Sequence, residues 1–135
     1  MTPLDLALAR VGDRWTLLVV DTLLDGPRRY GEVAAAIPAI APNILAQRLK
    51  RLERDGLIVA SPYTMRPPRY TYELTASGRE LAEAVASLTR WAARHEGLPA
   101  ADYHTRCGTA LELRVWCPTC DEFVSAGESD DLERF

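Results

Sequence analysis

Four side chains that commonly bind transition metals lie close together in the last third of the chain. They form two pairs, His104 with Cys107 and Cys117 with Cys120, each with two residues between its members. Thiolate sulfur and imidazole nitrogen are the usual ligands of structural zinc, which takes four of them in a tetrahedron. So short a segment cannot build an apolar core, and a bound ion would replace one. We therefore expect a zinc ribbon that holds one structural Zn²⁺.

A second group of chemically capable side chains lies on a helix predicted to begin at Pro42 and to end at Asp55. Its inner stripe consists of leucines at helical spacing, Leu45, Leu49 and Leu52. Its opposite face carries two amides and two cations, Asn43, Gln47, Lys50 and Arg54. Amides pair with the edge of adenine in the major groove of DNA, and cations pair with guanine or phosphate. The pattern predicts a helix that reads DNA.

The charges of the chain are strongly segregated along its length. Residues 28–69 carry eight basic side chains against three acidic ones, whereas residues 96–135 carry three against nine. The whole chain has a formal net charge of −3. A basic middle next to an acidic tail indicates a surface for a polyanion, with the tail pointing away from it. An ordinary solvated surface is the alternative that charge alone leaves open.

The remaining elements are predicted from helix caps, breakers and alternation. A helix over residues 3–11, capped by Thr2, and a second from Asp13 to before Gly26 both carry apolar residues at helical spacing and are expected in the core. A third helix is predicted over residues 30–36. Two β-prone stretches, 57–63 and 70–74, then flank a proline-rich loop with Arg66 and Arg69. This is a hairpin with a basic tip.

A long helix is predicted over residues 77–95, with Thr75 as its cap. Its apolar face is larger than a small domain covers, so we expect it to pack partly against a second copy of the chain; an internal core helix is the alternative. A short helix, a second helix with a polar outer face and a hairpin with a basic tip follow one another along the chain. This is the order of elements in a winged helix-turn-helix. The expected fold class is α+β, mainly α, with residues 1–97 as the DNA-binding and dimerisation domain and 98–135 as the appendage.

Length and composition restrict the classes of protein to which the chain can belong. The 135 residues, 47% hydrophobic and 26% charged, suit one globular domain with an appendage. We find no apolar run of the roughly 20 residues that a membrane helix needs, and no export signal, so a cytoplasmic protein is expected. A phosphate-binding glycine loop and a nucleophile–base motif are also missing, and an enzyme is therefore not expected.

Several segments together resemble the HxlR-type winged helix regulators over about residues 2–95. They are GDRWTLL at 12–18, LDGPRRY at 24–30, LAQRL at 45–49 and PPRYTYELT at 67–75. The resemblance implies a homodimer held by the first and last helices, on a pseudo-palindromic operator with half-sites about one helical turn apart. It also implies that Arg48 lies on or beside the recognition surface. The candidate DNA contacts are then Arg28, Arg29, Asn43, Gln47, Arg48, Lys50, Arg51, Arg54, Arg66 and Arg69.

The effector and the role of the cysteines stay open. Several redox- and aldehyde-responsive members of this family carry a cysteine immediately before the first-helix proline, where this chain has Thr2, so direct thiol sensing at that site is excluded. The four-residue cluster is a structural zinc site, the sensor of a metal- or redox-responsive repressor, or part of a weakly ordered tail in which His104 is only a surface residue. For the whole chain, a protein-interaction module without DNA binding is a further alternative. One hypothesis places a pocket for an unknown small effector between the first and last helices of the dimer, near Trp15 or Trp91.

Overall fold

The structure is a computed structural model and describes residues 1–99 and 102–124. The chain divides into two compact units between Ala86 and Ser87. The helices are α1 (Pro3–Val11), α2 (Arg14–Leu24), α3 (Tyr30–Ala36), α4 (Pro42–Arg54), α5 (Ala76–Arg79) and α6 (Ala82–His95). The strands are β1 (Arg28–Arg29), β2 (Ile58–Met65), β3 (Pro68–Leu74), β4 (Val115–Cys117) and β5 (Glu122–Val124).

The first two helices begin where their cap residues predict. The Thr2 hydroxyl accepts from the Asp5 N–H at 3.1 Å, and the Asp13 carboxylate accepts from the Thr16 N–H at the same distance. These side chains satisfy backbone donors that the first turn of a helix leaves unpaired. The expected core position is wrong for α1, which has no buried residue. A cap determines where a helix starts, but it does not determine what the helix packs against.

The core of the first unit lies between α2, α3, α4 and the wing strands. Its almost completely buried side chains are Val19, Val20, Leu23, Val33, Leu45, Leu49, Leu52, Ile58 and Leu74. The predicted leucine stripe of α4 is thus confirmed. Because the three leucines share one face of the helix, the polar side chains at the other positions point outward.

The predicted hairpin is confirmed as a wing. Strands β2 and β3 pair antiparallel from Ile58 opposite Leu74 to Met65 opposite Pro68, with a bulge between Pro62 and Thr64. The strands are longer than predicted, so the turn is shorter. Strand β1, which is not predicted from the sequence, pairs with β3 and gives the sheet order β1-β3-β2. A strand of two residues shows no alternation that a pattern search can detect.

The single long helix predicted over residues 77–95 is wrong at its start, where α5 and α6 are separate. A Cβ added to Gly78 would lie 2.1 Å from the Leu57 carbonyl oxygen, so only glycine fits this approach. The Thr75 N–H donates to the same carbonyl at 3.0 Å. The Leu81 N–H then donates to the Gly78 carbonyl three residues back, at 3.2 Å. This tighter turn ends α5, and α6 starts at Ala82.

In the second unit, β4 and β5 form a two-stranded antiparallel hairpin. Tyr103 and Ala110 form an isolated bridge around the turn that precedes it. None of the described residues from 102 to 124 is classed as buried. Of residues 111–116, which lie between the two ligand pairs, only Val115 and Trp116 are in a strand, and that strand leads into the second pair. The acidic stretch 128–135 lies outside the described residues.

No helix in the described ranges is long and apolar enough to cross a membrane.

Candidate DNA-binding surface and C-terminal cysteine turns

The outer face of α4 is as polar and as exposed as its sequence predicts. Asn43, Gln47, Lys50 and Arg54 are all exposed. Within the described ranges, the side chains of Asn43, Gln47 and Lys50 make no hydrogen bond or ion pair, and Arg54 only approaches Asp55 at 3.5 Å. The helix begins after Ala41, which provides no side-chain cap. Amide and ammonium groups are therefore available along one ridge.

Two further predicted DNA contacts, Arg48 and Arg51, are instead held by partners in the chain. Arg48 Nε donates to Asp13 Oδ1 at 2.8 Å, and only 23% of its side chain is exposed. Arg51 Nη2 donates to the Ala9 carbonyl, and its Nε lies 3.8 Å from Asp55 Oδ2. These arginines lie at the edge of the polar face and connect α4 to the first two helices.

The carboxylate that receives Arg48 is strongly stabilised in its charged form. Partial burial of Asp13 favours the neutral acid. Hydrogen bonds from the Thr16 hydroxyl and N–H and from Arg48 outweigh that effect and lower the pKa of Asp13 to about 2. The Asp13 carboxylate is therefore ionised at neutral pH, and its bond to Arg48 anchors α4 at the N-terminus of α2.

The other predicted arginines lie on the wing and on β1. Arg66 and Arg69 are exposed near the hairpin turn. The Arg29 guanidinium lies 4.6 Å from the centroid of the Tyr63 ring, a cation–π distance. Arg28 is half-buried, with Nη2 3.7 Å from Asp25 Oδ2, and its buried Nε finds no hydrogen-bond partner among the described residues. The wing thus presents cations beside α4.

A cavity of about 550 Å³ lies between α3 and the wing, and it is not predicted from the sequence. Its lining combines four tyrosines with two arginines: Tyr30, Tyr63, Tyr70, Tyr72, Arg29 and Arg69. A second cavity, of about 280 Å³, shares three of these tyrosines and also contacts Lys50 of α4. Burial, with contributions from Glu53 and the neighbouring tyrosines, raises the pKa of Tyr72. One feature of the sequence does point to this cavity. Tyr70 and Tyr72 are two residues apart in a strand, so their side chains lie on the same face of the sheet.

The predicted metal ligands lie on two turns of similar shape. In the first, His104 Nδ1 lies 3.3 Å from Cys107 Sγ, and Gly108 follows with φ of 70°. In the second, Cys117 and Cys120 lie on a turn in which the Asp121 N–H donates to the Cys117 carbonyl at 2.9 Å, and Asp121 has φ of 56°. Each turn therefore places its two ligands just before a left-handed residue.

Each pair is together, but the structure does not bring the two pairs to a common point. Among the described residues, no group of three or more His, Cys, Asp or Glu side chains is arranged to hold a metal ion. A hydrogen bond with Thr109 lowers the pKa of the Cys107 thiol. Backbone N–H groups of Cys120 and Thr119 lower the pKa of Cys117, and the contact with Cys117 raises that of Cys120.

The tryptophans expected beside an effector pocket lie in different units. Trp15 of α2 is half-buried, with the Arg14 guanidinium 4.6 Å from its ring centroid. Trp91 of α6 is 56% exposed, and the centroid of its ring lies 4.7 Å from that of the His95 ring. An effector site near either of them stays a prediction.

The helix pair α3–α4 and the adjoining wing define a winged helix-turn-helix protein, a class of transcriptional regulators. The family model described as HxlR-like helix-turn-helix matches residues 10–98. The chain belongs to this family, as its sequence motifs predict.

Individual relatives agree with this assignment. An HTH-type transcriptional regulator of Mycobacterium tuberculosis, Rv3095, is 37% identical over 124 residues, 89% of this chain and 78% of the relative. A match of that length extends beyond the winged helix into the C-terminal segment. The solved structure of the HTH-type regulator ytcD shares 32% identity with a TM-score of 0.67, covering 72% of this chain and 99% of that one. The redox regulator HypR in its oxidised form shares 29% identity with a TM-score of 0.64, over 69% and 96%.

Proposed function

We propose that this chain is a dimeric, sequence-specific DNA-binding regulator that inserts α4 into the major groove and lays its wing on the backbone or minor groove. The observation that carries the proposal is the free polar ridge of α4 beside an exposed basic wing. We infer a regulatory rather than a catalytic role, exercised in the cytoplasm, where the DNA of a bacterial regulator lies.

The contacts divide into two kinds. Asn43 and Gln47 carry amides that can form paired hydrogen bonds with adenine, so they would determine sequence preference. Lys50, Arg66 and Arg69 would meet phosphate or guanine and supply most of the affinity. Arg48 and Arg51 are already engaged with Asp13 and Ala9, and they would position α4.

The dimer is proposed from two exposed apolar surfaces. Helix α1 exposes Leu4, Leu6 and Leu8, and α6 exposes Leu88 and Trp91. Removal of apolar surface from water yields roughly 25 cal/mol per Å², so such helices are stabilised by a partner. A two-fold dimer would present two recognition helices about 34 Å apart, which sets half-sites one helical turn apart.

Selection of bound duplexes from a random pool, repeated at two salt concentrations, tests the proposal. We expect an inverted repeat with a centre-to-centre spacing of about 10 base pairs. Affinity should fall with salt, with a log–log slope of about −0.9 for each phosphate contacted. Recovery of no enriched sequence would contradict sequence-specific binding. Recovery of an unpaired single site would contradict binding as a dimer.

A matched pair of variants shows whether the named surface is used. Lys50→Ala should weaken binding of the selected operator by about five- to ten-fold, because it removes a charge-assisted contact. Arg114→Ala removes an exposed arginine of the second unit that pairs with Glu112, and it should leave operator binding unchanged. Equal effects of the two changes would indicate that DNA binding depends on the overall charge of the chain and not on the α4 surface.

We also propose that the two cysteine turns bind one structural Zn²⁺. The support is their common shape: two soft ligands followed by a left-handed residue, with the first pair 3.3 Å apart, close to the roughly 3.6 Å between neighbouring ligands on tetrahedral zinc. Closure of the four ligands around the ion would require the second turn to approach the first. Four protein ligands leave no open position, so the role would be structural.

The metal content of the purified full chain tests this proposal. One zinc per chain is expected for the native protein and for Thr119→Ala, which alters the second turn but no ligand. Cys120→Ser should lose the metal. The position of Cys117 and Cys120 on one tight turn favours a second candidate, a dithiol switch, which gains from the redox role named for HypR. A metal-free chain that loses two hydrogen masses on mild oxidation, with altered operator affinity, would favour that switch.

A further inference from the structure

The tyrosine-lined cavity between α3 and the wing has the size and lining of a small-molecule site. Its volume of about 550 Å³ lies within the roughly 300–1,000 Å³ typical of ligand pockets. Tyr63 and Tyr70 are exposed and Tyr30 and Tyr72 half-buried, so aromatic surface is both accessible and partly enclosed. The Tyr30 hydroxyl donates to the Pro42 carbonyl at 3.0 Å, which holds this wall against the start of α4.

The charges of the lining select the chemistry of an occupant. Arg29 and Arg69 carry two positive charges, against the single carboxylate of Glu32. That carboxylate already accepts the Arg29 backbone N–H at 2.7 Å. Guanidinium groups bind carboxylates through paired hydrogen bonds, and tyrosine rings stack on flat aromatic rings. The lining therefore suits an aromatic carboxylate.

We propose that this cavity binds a small aromatic carboxylate, with its ring among the tyrosines and its carboxylate on Arg69 and Arg29, and that occupancy weakens DNA binding. The effect on DNA binding rests on the proposed function, because Arg69 is one of the proposed DNA contacts and Arg29 is a candidate contact from the sequence. A ligand carboxylate neutralises the cations that would otherwise meet phosphate. The ligand and DNA then compete for the same side chains.

The wing offers a matched pair of variants for the test. Arg69 lines the cavity, whereas Arg66, its neighbour at the hairpin turn, does not. Calorimetric titration of the full chain with 2-naphthoate should give a dissociation constant on the order of 0.1–1 mM, as for a ligand of this size. Arg69→Gln should weaken binding by about five-fold or more, and Arg66→Gln should not change it. The neutral analogue 2-naphthamide should bind more weakly than 2-naphthoate.

Two arms separate this inference from the proposed function. Absence of binding at concentrations ten-fold above the expected constant, or equal losses in the two arginine variants, would overturn the ligand site. If the ligand binds, saturation should lower operator affinity by about five-fold or more, and an unchanged affinity would overturn the regulatory part. A chain that binds no duplex would overturn the proposed function, and the titration would still decide the cavity.

Discussion

The two units of this protein are stabilised by different means. In the first, side chains from three helices and the wing bury one another, and Leu45 at its centre is 0% exposed. In residues 102–124, the apolar side chains stay in contact with solvent, and the order comes from tight turns and a hairpin of three residues per strand. The winged helix can therefore fold from its own core, whereas none of residues 102–124 is buried in a comparable one.

Removal of the zinc that we propose should have the largest effect, and only on the second unit. Binding of structural zinc is worth on the order of 10 kcal/mol to the segments that it folds. Addition of a strong zinc chelator should abolish amide hydrogen-exchange protection in β4 and β5 while the amides of α2 and α4 keep theirs. Equal loss of protection in both units, or no loss in either, would contradict the distinction.

Truncation of one leucine in each unit compares the packing of the two units directly. Leu45→Ala should lower the free energy of unfolding by about 2–5 kcal/mol, because it leaves a cavity in a packed interior. Leu113→Ala, at a position 51% exposed, should change it by less than about 0.5 kcal/mol. Urea denaturation followed by circular dichroism measures both. A large effect at Leu113 would reveal a second core.

The close approach at Gly78 gives a smaller effect within the first unit. Gly78→Ala places a methyl group against the Leu57 carbonyl and should cost about 1–3 kcal/mol of unfolding free energy. Gly31→Ala is the control, since nothing described lies within 4 Å of an added Cβ there. Thermal melts that move equally for both variants would rule out the steric explanation.

The Asp13–Arg48 pair should add a modest pH dependence. A carboxyl whose folded pKa is lowered stabilises the fold above its ordinary value of 3.8, and this effect declines as the pH falls toward about 2. We expect the native chain to lose about 1–2 kcal/mol more than Asp13→Asn between pH 5 and pH 2, after allowance for partial exposure. Parallel stability profiles of the two proteins over that range would show that the pair contributes nothing.

The sequence predicts much of the first unit because its information is local. Caps such as Asp13, the breaker before Pro42 and the spacing of Leu45 and Leu49 each depend on residues within one or two turns. The features that it misses depend on contacts between distant residues. The partner of Arg48 is 35 positions away, and the break after α5 results from the approach of Gly78 to Leu57.

The candidate sites divide in the same way. The polar ridge of α4 follows from helical period alone, and the structure exposes it as predicted. The tyrosine cavity requires β1, β3 and α3 to converge, which no local pattern reveals. The cysteine pairs are visible as short spacings, but whether four ligands meet depends on how two turns approach, and spacing does not determine that.

The most direct test of the central claim is the specificity of a variant in the α4 ridge. The ratio of dissociation constants for a scrambled duplex and the selected operator should fall by about ten-fold or more in Gln47→Ala, the loss of one paired base contact. Arg69→Gln should weaken both duplexes alike and leave the ratio unchanged. An unchanged ratio in Gln47→Ala, together with a reduced one in Arg69→Gln, would contradict the reading of DNA by α4.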